Sequence, residues 1–136
     1  MYLLDANVVS ELRRRKPHGA VVAWLGGVSE DAIFLSAVTL GELQAGVELT
    51  RRQDAAKAQA IEAWLDLVAQ SYDTLPMDGP TFRQWATLLH GRSDTLIEDA
   101  MIAATAILHG LTVVTRNVRD FRVFGVAVLD PFATRS

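Results

Sequence analysis

Asp5 ends the short apolar run Tyr2-Leu3-Leu4, with Asn7 two residues further on. Glu42 shares a stripe at helical spacing with Val38, Ala45 and Leu49, inside the segment Ser36 to Leu49. Asp99 opens the apolar run Ala100 to Leu108, and the polar stretch after Thr115 holds Asn117 and Asp120. An ionised carboxylate in apolar surroundings is costly unless pairing or a metal neutralises it. No buried-looking lysine accompanies these acids, and the basic residues gather in loops: Arg13-Arg14-Arg15-Lys16, then Arg116, Arg119 and Arg122. A hard divalent cation held by oxygen ligands is the natural compensator, and carboxylates with asparagine suit Mg²⁺ or Mn²⁺. Taken singly, each acid also has an ordinary reading. Asp5 fits a turn or cap, Glu42 a solvated helix face, and Asp99, like its neighbour Glu98, a helix N-terminus. Asp120 fits a plain loop acid. Their joint placement at the ends and starts of elements favours a site.

Those elements follow from periodicity and punctuation. Tyr2–Leu4 reads as a buried strand, and residues 6–12 as a helix stopped near Pro17. Val21, Val22, Trp24 and Leu25 support a second short helix closed by Gly26-Gly27. Ile33-Phe34-Leu35 reads as the next strand, after which Ser36 or Thr39 caps a helix through Leu49. A long amphipathic helix runs from about Asp54 to Tyr72 on Ala58, Ile61, Trp64, Leu65 and Val68. Thr74 to Met77 is a weak strand that Pro76 demotes toward a sheet edge, and Thr81 to Leu89 is a further helix. Leu96 to Leu108 reads as a buried helix closed by Gly110, Leu111 to Val114 as the clearest strand and Val126 to Leu129 as the last. Strands alternating with helices predict a parallel α/β sheet covered on both faces, with its ligand site off the carboxyl ends of the strands.

Composition narrows the class. The 13 Lys+Arg against 16 Asp+Glu give a net charge of −3. That excludes a broadly basic nucleic-acid binder but permits a nucleic-acid enzyme with basic loops around an acidic, metal-charged centre. The absence of cysteine removes disulfides, thiolate zinc sites and thiol nucleophiles. No apolar run approaches the roughly 18 residues of a membrane span, and Asp5 interrupts the apolar start. A single cytoplasmic domain over residues 1–136 is therefore expected. There is no phosphate-binding glycine loop or dinucleotide fingerprint. The scattered His18, His90 and His109 argue against histidine catalysis, since the last two look like helix ends. A phosphotransferase of the haloacid-dehalogenase type would need a second aspartate where Asn7 stands.

Four segments in order carry a family resemblance: Leu3-Leu-Asp-Ala-Asn-Val-Val-Ser-Glu11, Leu35-Ser-Ala-Val-Thr-Leu-Gly-Glu-Leu-Gln-Ala-Gly46, Asp99-Ala-Met-Ile-Ala-Ala-Thr-Ala106 and His109-Gly-Leu-Thr-Val-Val-Thr-Arg-Asn-Val-Arg-Asp-Phe121. Together they resemble PIN-domain ribonucleases, in particular the FitB-like branch of the VapC toxins. The resemblance spans residues 2 to about 132, while 50 to 95 carry little motif information. It implies a three-layer α/β/α sandwich with a mostly parallel central sheet, and a Mg²⁺- or Mn²⁺-dependent endoribonuclease that is the toxic half of a toxin–antitoxin pair. It makes Asp5, Asp99 and Glu42 the catalytic and metal-holding acids. The family's fourth acid falls on Asn117, so either Asn117 or Asp120 fills that position. Asn7, Ser10 and Thr115 take supporting roles that orient carboxylates and waters. Arg116 and Arg119, with Arg122 and the Arg13 to Lys16 run, would hold the RNA backbone. A cognate antitoxin and a homodimer are the expected partners, the latter burying surplus apolar side chains between Ile61 and Val68 and around Trp85. The rival reading is a catalytically silent interaction module that kept the fold, favoured only by Asn117.

Overall fold

The computed structural model describes residues 1–133. Strand β1 (Tyr2–Leu4) leads into helices α1 (Ala6–Arg13) and α2 (Gly19–Gly26), then β2 (Ile33–Ser36), α3 (Ala37–Arg51) and α4 (Ala55–Ser71). The second half runs β3 (Asp73–Leu75), α5 (Gly79–Leu89), α6 (Ile97–His109), β4 (Thr112–Val114), α7 (Val118–Arg122) and β5 (Val128–Leu129). The strands form one sheet in the order β3-β2-β1-β4-β5, and every pairing is parallel. Helices cover both faces, the architecture expected from the alternation of strand and helix signals.

The short strands split their side chains between two cores because successive residues face opposite ways. Leu3 and Val113 enter a core with Ala100, Ile102, Ala103, Ala106 and Phe121 from α6 and α7. Leu4, Ile33, Leu35 and Val114 face Val8, Val9 and Val21 from α1 and α2. The alanine-rich buried face of α6 lets this helix lie close on the sheet. Its C-terminus is closed by Gly110 in the left-handed conformation, φ 66°, which only glycine adopts without strain.

The caps follow the polar residues at element starts. The Ser36 hydroxyl accepts from the Val38 N–H, so Ser36 and not Thr39 begins α3. Asp54 and Asp78 cap α4 and α5 by accepting from the Lys57 and Thr81 N–H groups. The Asp78 cap, with Pro80 in the first turn, starts α5 earlier than the sequence pattern placed it.

Three expectations change. The stretch after Thr115 is no plain loop: it holds α7, a five-residue helix too short to show a period, anchored by Phe121. The stripe Val38-Glu42-Ala45-Leu49 is not the buried face of α3. Thr39 and Val47, with half-buried Leu40 and Leu43, point inward against the sheet and α4, while Leu49 is 63% exposed. The inward face is turned by about one residue, roughly 100°, because the larger side chains win the contact with α4. Finally, the apolar residues between Ile61 and Val68 and around Trp85 are mostly used within the chain. Leu65 is buried, Trp64 and Val68 pack toward the sheet, and the Trp85 indole donates to the Ile97 carbonyl at 3.1 Å. Leu67 and Phe82 stay outside.

Candidate metal centre at the carboxyl edge of the sheet

β1 is the central strand, and the chain first builds outward to β2 and β3 and then crosses to β4 on its other side. The carboxyl ends of β1 and β4 therefore flank the topological switch point, the usual ligand crevice of such sheets. Asp5 and Thr115 stand there, each one residue beyond its strand.

Asp5 is 5% exposed and fully engaged. Its backbone N–H donates to the Val114 carbonyl, extending the β1–β4 pairing by one residue. One carboxylate oxygen accepts from the Ala6 N–H at 2.9 Å, capping α1. The other accepts the Thr115 hydroxyl at 2.8 Å and the Asn7 amide at 3.3 Å. Burial raises the Asp5 pKa, and the Thr115 and Ala6 hydrogen bonds partly offset that rise.

Thr115 is saturated in turn. Its hydroxyl donates to Asp5 and accepts from the Asn7 amide at 3.3 Å and the Asn117 N–H at 3.0 Å. The Asn7 carbonyl accepts the Arg116 N–H at 3.2 Å, so one asparagine ties α1 to the segment after β4. Ser10, one turn after Asn7, makes no side-chain hydrogen bond among the described residues.

Glu42 and Asp99 share the same electrostatic field. Glu42 lies on the open rim of α3, yet loss of water on its inner side pushes its pKa up to about 7, with Asp5, Glu98 and Asp99 adding repulsion. Asp99, half-buried in the first turn of α6, is pushed up to about 6 by the same loss of water, then by Asp5, Asp120 and Glu98. No basic group appears among the influences on either acid. Glu42 and Asp99 thus share an acidic edge of the sheet with Asp5, Glu98 and Asp120, and among the described residues no cation offsets the repulsion on either of the two. The hydroxyl of Thr39, one turn before Glu42, is buried with no partner.

Glu98 was read as a helix-terminus acid, but its charge acts on both Glu42 and Asp99. Glu11 is a second acid that pattern reading passed over: it is buried and accepts the His18 N–H at 2.9 Å, which holds its pKa down. Its place three residues after Val8, on the inward face of α1, is the signal that could have found it. At the fourth position, Asn117 is exposed and its side chain makes no capping bond to α7. Asp120, also exposed, is the one whose charge reaches Asp99. Arg116 and Arg119, in the segment after β4, are exposed, as is the Arg13 to Lys16 run at the other end of α1.

Among the described residues no three His, Asp or Glu side chains are grouped closely enough to hold a metal ion, so Asp5, Glu42 and Asp99 are not gathered into one coordination shell. The fit to a cation lies in the all-oxygen donor set and in its uncompensated charge, which a hard divalent ion would relieve.

The sequence pattern that defines the PIN domain matches residues 2–126. The chain belongs to the PIN-domain family. This PIN domain is 36% identical over 140 residues to the toxin FitB of Neisseria gonorrhoeae, covering 97% of this chain and 99% of the relative. It is 33% identical over 143 residues to a VapC ribonuclease of Sinorhizobium fredii, covering 97% and 98%. The crystal structure of FitAcB from Neisseria gonorrhoeae superposes with a TM-score of 0.88 at 35% identity, over 98% of this chain and 100% of that one. Among the described residues no helix of this PIN domain is long and apolar enough to cross a membrane.

The raised acids make the metal-free fold pH-sensitive in a defined direction. Glu42 and Asp99 hold protons in the folded state at pH values where the unfolded chain has released them. Stability therefore falls as pH rises through the window from about 4 to 7. The melting temperature in EDTA is expected to decline between about pH 5 and 7.5, and Glu42→Gln should flatten that decline. An unchanged slope in Glu42→Gln would show that Glu42 does not share this field.

Proposed function

We propose that this chain is an endoribonuclease that hydrolyses RNA phosphodiester bonds with Mg²⁺ or Mn²⁺, and that it is the toxin of a cytoplasmic toxin–antitoxin pair. The observation that carries the reading is the group of acids around Asp5, raised in pKa with no basic partner, at the switch point of the sheet. The names of the relatives, a toxin and a VapC ribonuclease at full length, support the substrate and the biological role.

Asp5, Glu42 and Asp99 would hold the ion. When bound, it supplies charge stabilisation on the phosphoryl oxygens and a more acidic water. Asp5 is the fixed member, oriented by Thr115, Asn7 and the Ala6 N–H. Glu42, exposed on the rim of α3 beside the other acids, would position the attacking water or take its proton. Arg116 and Arg119 provide positive charge beside this acidic edge, where the substrate backbone must approach. Water is the nucleophile and the ribose 3′-oxygen the leaving group, so the products carry a 5′-phosphate and a 3′-hydroxyl.

The test is cleavage of an RNA pool by the purified protein with Mg²⁺ or Mn²⁺, set against EDTA, with end-group analysis of the products. Failure to cut with either metal would overturn the reading in favour of a silent interaction module. Products ending in a cyclic phosphate would overturn the hydrolytic mechanism.

The fourth position is decided by two substitutions. Asp120 influences Asp99, so Asp120→Asn is expected to raise the metal concentration needed for half-maximal cleavage. Asn117→Asp should change that midpoint little, because a further carboxylate adds repulsion to a site already rich in it. The opposite pattern would assign the position to Asn117. We further propose a small antitoxin as binding partner and a homodimer. The exposed Leu49, Leu67, Phe82 and Leu108 are apolar surface for such contacts. A strict monomer in light scattering at micromolar concentration would exclude the dimer.

A further inference from the structure

We propose that the guanidinium of Arg116 is a stacking platform for one nucleobase of a single-stranded RNA, held flat for that purpose by Phe132; this rests on the endoribonuclease reading. The Arg116 guanidinium carbon lies 3.8 Å from the centre of the Phe132 ring. At that distance the two planes are in van der Waals contact, one above the other. Phe132 itself is 8% exposed and cannot receive a base directly. It is fixed from below: its N–H donates to the Asp130 carboxylate at 2.9 Å, and the His18 ring meets it edge-on at 5.5 Å. Arg116 is exposed, and its backbone is fixed by the N–H bond to Asn7, the same side chain that orients Asp5. The outer face of the guanidinium is thus left open to solvent above the ring, on a residue whose backbone N–H is two hydrogen bonds from Asp5.

The charge pairing available to Arg116 shows why the plane matters. Glu11 is close enough for the Arg116 charge to lower its pKa. Even so, among the described residues Arg116 makes no salt bridge, while Glu11 accepts from the His18 N–H and from Arg14. The guanidinium takes the ring in preference to the carboxylate. A phosphate contact needs only the N–H edge of an arginine and gains nothing from an aromatic floor, whereas stacking of a base needs a fixed face. Bases of single-stranded RNA stack on arginine planes in this way, independently of base identity or with modest preference.

The experiment uses the wild-type protein in EDTA, where nothing is cut, and measures its affinity for a single-stranded RNA and for a series carrying one abasic nucleotide stepped along it. Each abasic RNA keeps every phosphate. Wild type is expected to lose about tenfold in affinity when the base at one position is removed and less elsewhere, the usual size of one stacking contact. Arg116→Lys keeps the charge but has no plane. It should bind the intact RNA about tenfold more weakly than wild type and show no loss at that position. A flat wild-type profile overturns the proposal. So does an Arg116→Lys profile with the position-specific loss preserved, or an equal weakening on every RNA, which would mark a phosphate contact alone. Restoring Mg²⁺ or Mn²⁺ separates the two readings. Cleavage without a position-specific loss leaves the endoribonuclease and removes the platform, while a position-specific loss without cleavage does the reverse. Arg116 is on the surface, so an unchanged melting temperature for Arg116→Lys confirms that the effect is local.

Discussion

Asp99→Asn is expected to lower metal-dependent RNA cleavage by about a thousandfold or more, while raising the melting temperature of the metal-free protein above about pH 6. The two effects have opposite signs for one reason. Asp99 is pushed up to about 6 by loss of water and by Asp5, Asp120 and Glu98, so its charge works against the empty fold. That same charge is what a divalent ion would use. The variant should therefore also lose most of the rise in melting temperature that wild type shows when Mn²⁺ is added, since stabilisation by a ligand follows its affinity. Cleavage within tenfold of wild type, with the Mn²⁺ response intact, would remove Asp99 from the centre. Asp5→Asn should abolish cleavage as well and also destabilise the fold. An asparagine has one carbonyl oxygen to replace the two carboxylate oxygens that now receive the Ala6 N–H and the Thr115 hydroxyl. It would leave one of those donors without its partner.

Much of this acidic edge is legible in the linear chain, and what is missed has physical causes. Asp5 is readable because a strand of three apolar residues cannot end on an acid without a reason, and Asp99 because it precedes a helix apolar nearly all round. Gly110 announces its helix end by chemistry that depends on one residue alone, whereas Ser36 and Thr39 both fit the start of α3 until the Val38 N–H chooses Ser36. The orientation of α3 is a different kind of fact. Val38-Glu42-Ala45-Leu49 and Leu40-Leu43-Val47 are both plausible inward stripes, and only the packing of α3 against α4 chooses between them. Helix α7 is invisible because five residues are less than two turns. Glu98 is missed because its influence on Glu42 and Asp99 arises between elements, whereas Glu11 does carry a local signal, its place on the inward face of α1. The Arg116–Phe132 contact joins residues that no spacing rule connects.

Phe121→Ala carries the second large expected effect, a loss of about 3–5 kcal/mol in stability. Among the described residues Phe121 is the largest fully buried side chain, and it is the only buried residue of α7. It packs with Leu3 and Val113 from the sheet and the alanine face of α6. Small neighbours on a rigid helix collapse poorly into a vacated space, so much of the cavity should persist. Against a total stability of about 5–15 kcal/mol this is a substantial fraction. The midpoint of thermal unfolding should fall by roughly 10–20 °C. The loss should reach the site too, because Arg119 and Asp120 sit on α7 and Asn117 begins it. Phe121→Leu, which refills most of the space, is the comparison: its unfolding midpoint should fall much less and its metal requirement should stay near wild type. A loss below about 1 kcal/mol for Phe121→Ala would show that α7 is not anchored by this ring.

The bond from the Thr115 hydroxyl to the Asp5 carboxylate spans 110 residues of chain, and the strands beside it pair the first residues with some of the last. Synthesis at the usual pace of roughly 5–20 residues per second leaves an interval of roughly 5–20 seconds between the making of these two residues. Throughout that interval Asp5 has neither its partner hydroxyl nor the strand that buries it, and Asp99 arrives only near its close. On the proposed reading, a nascent chain still lacking Thr115, or a fragment terminated before it, is expected to be inert. Activity begins only after most of the polypeptide has emerged, and non-local parallel pairing delays it further.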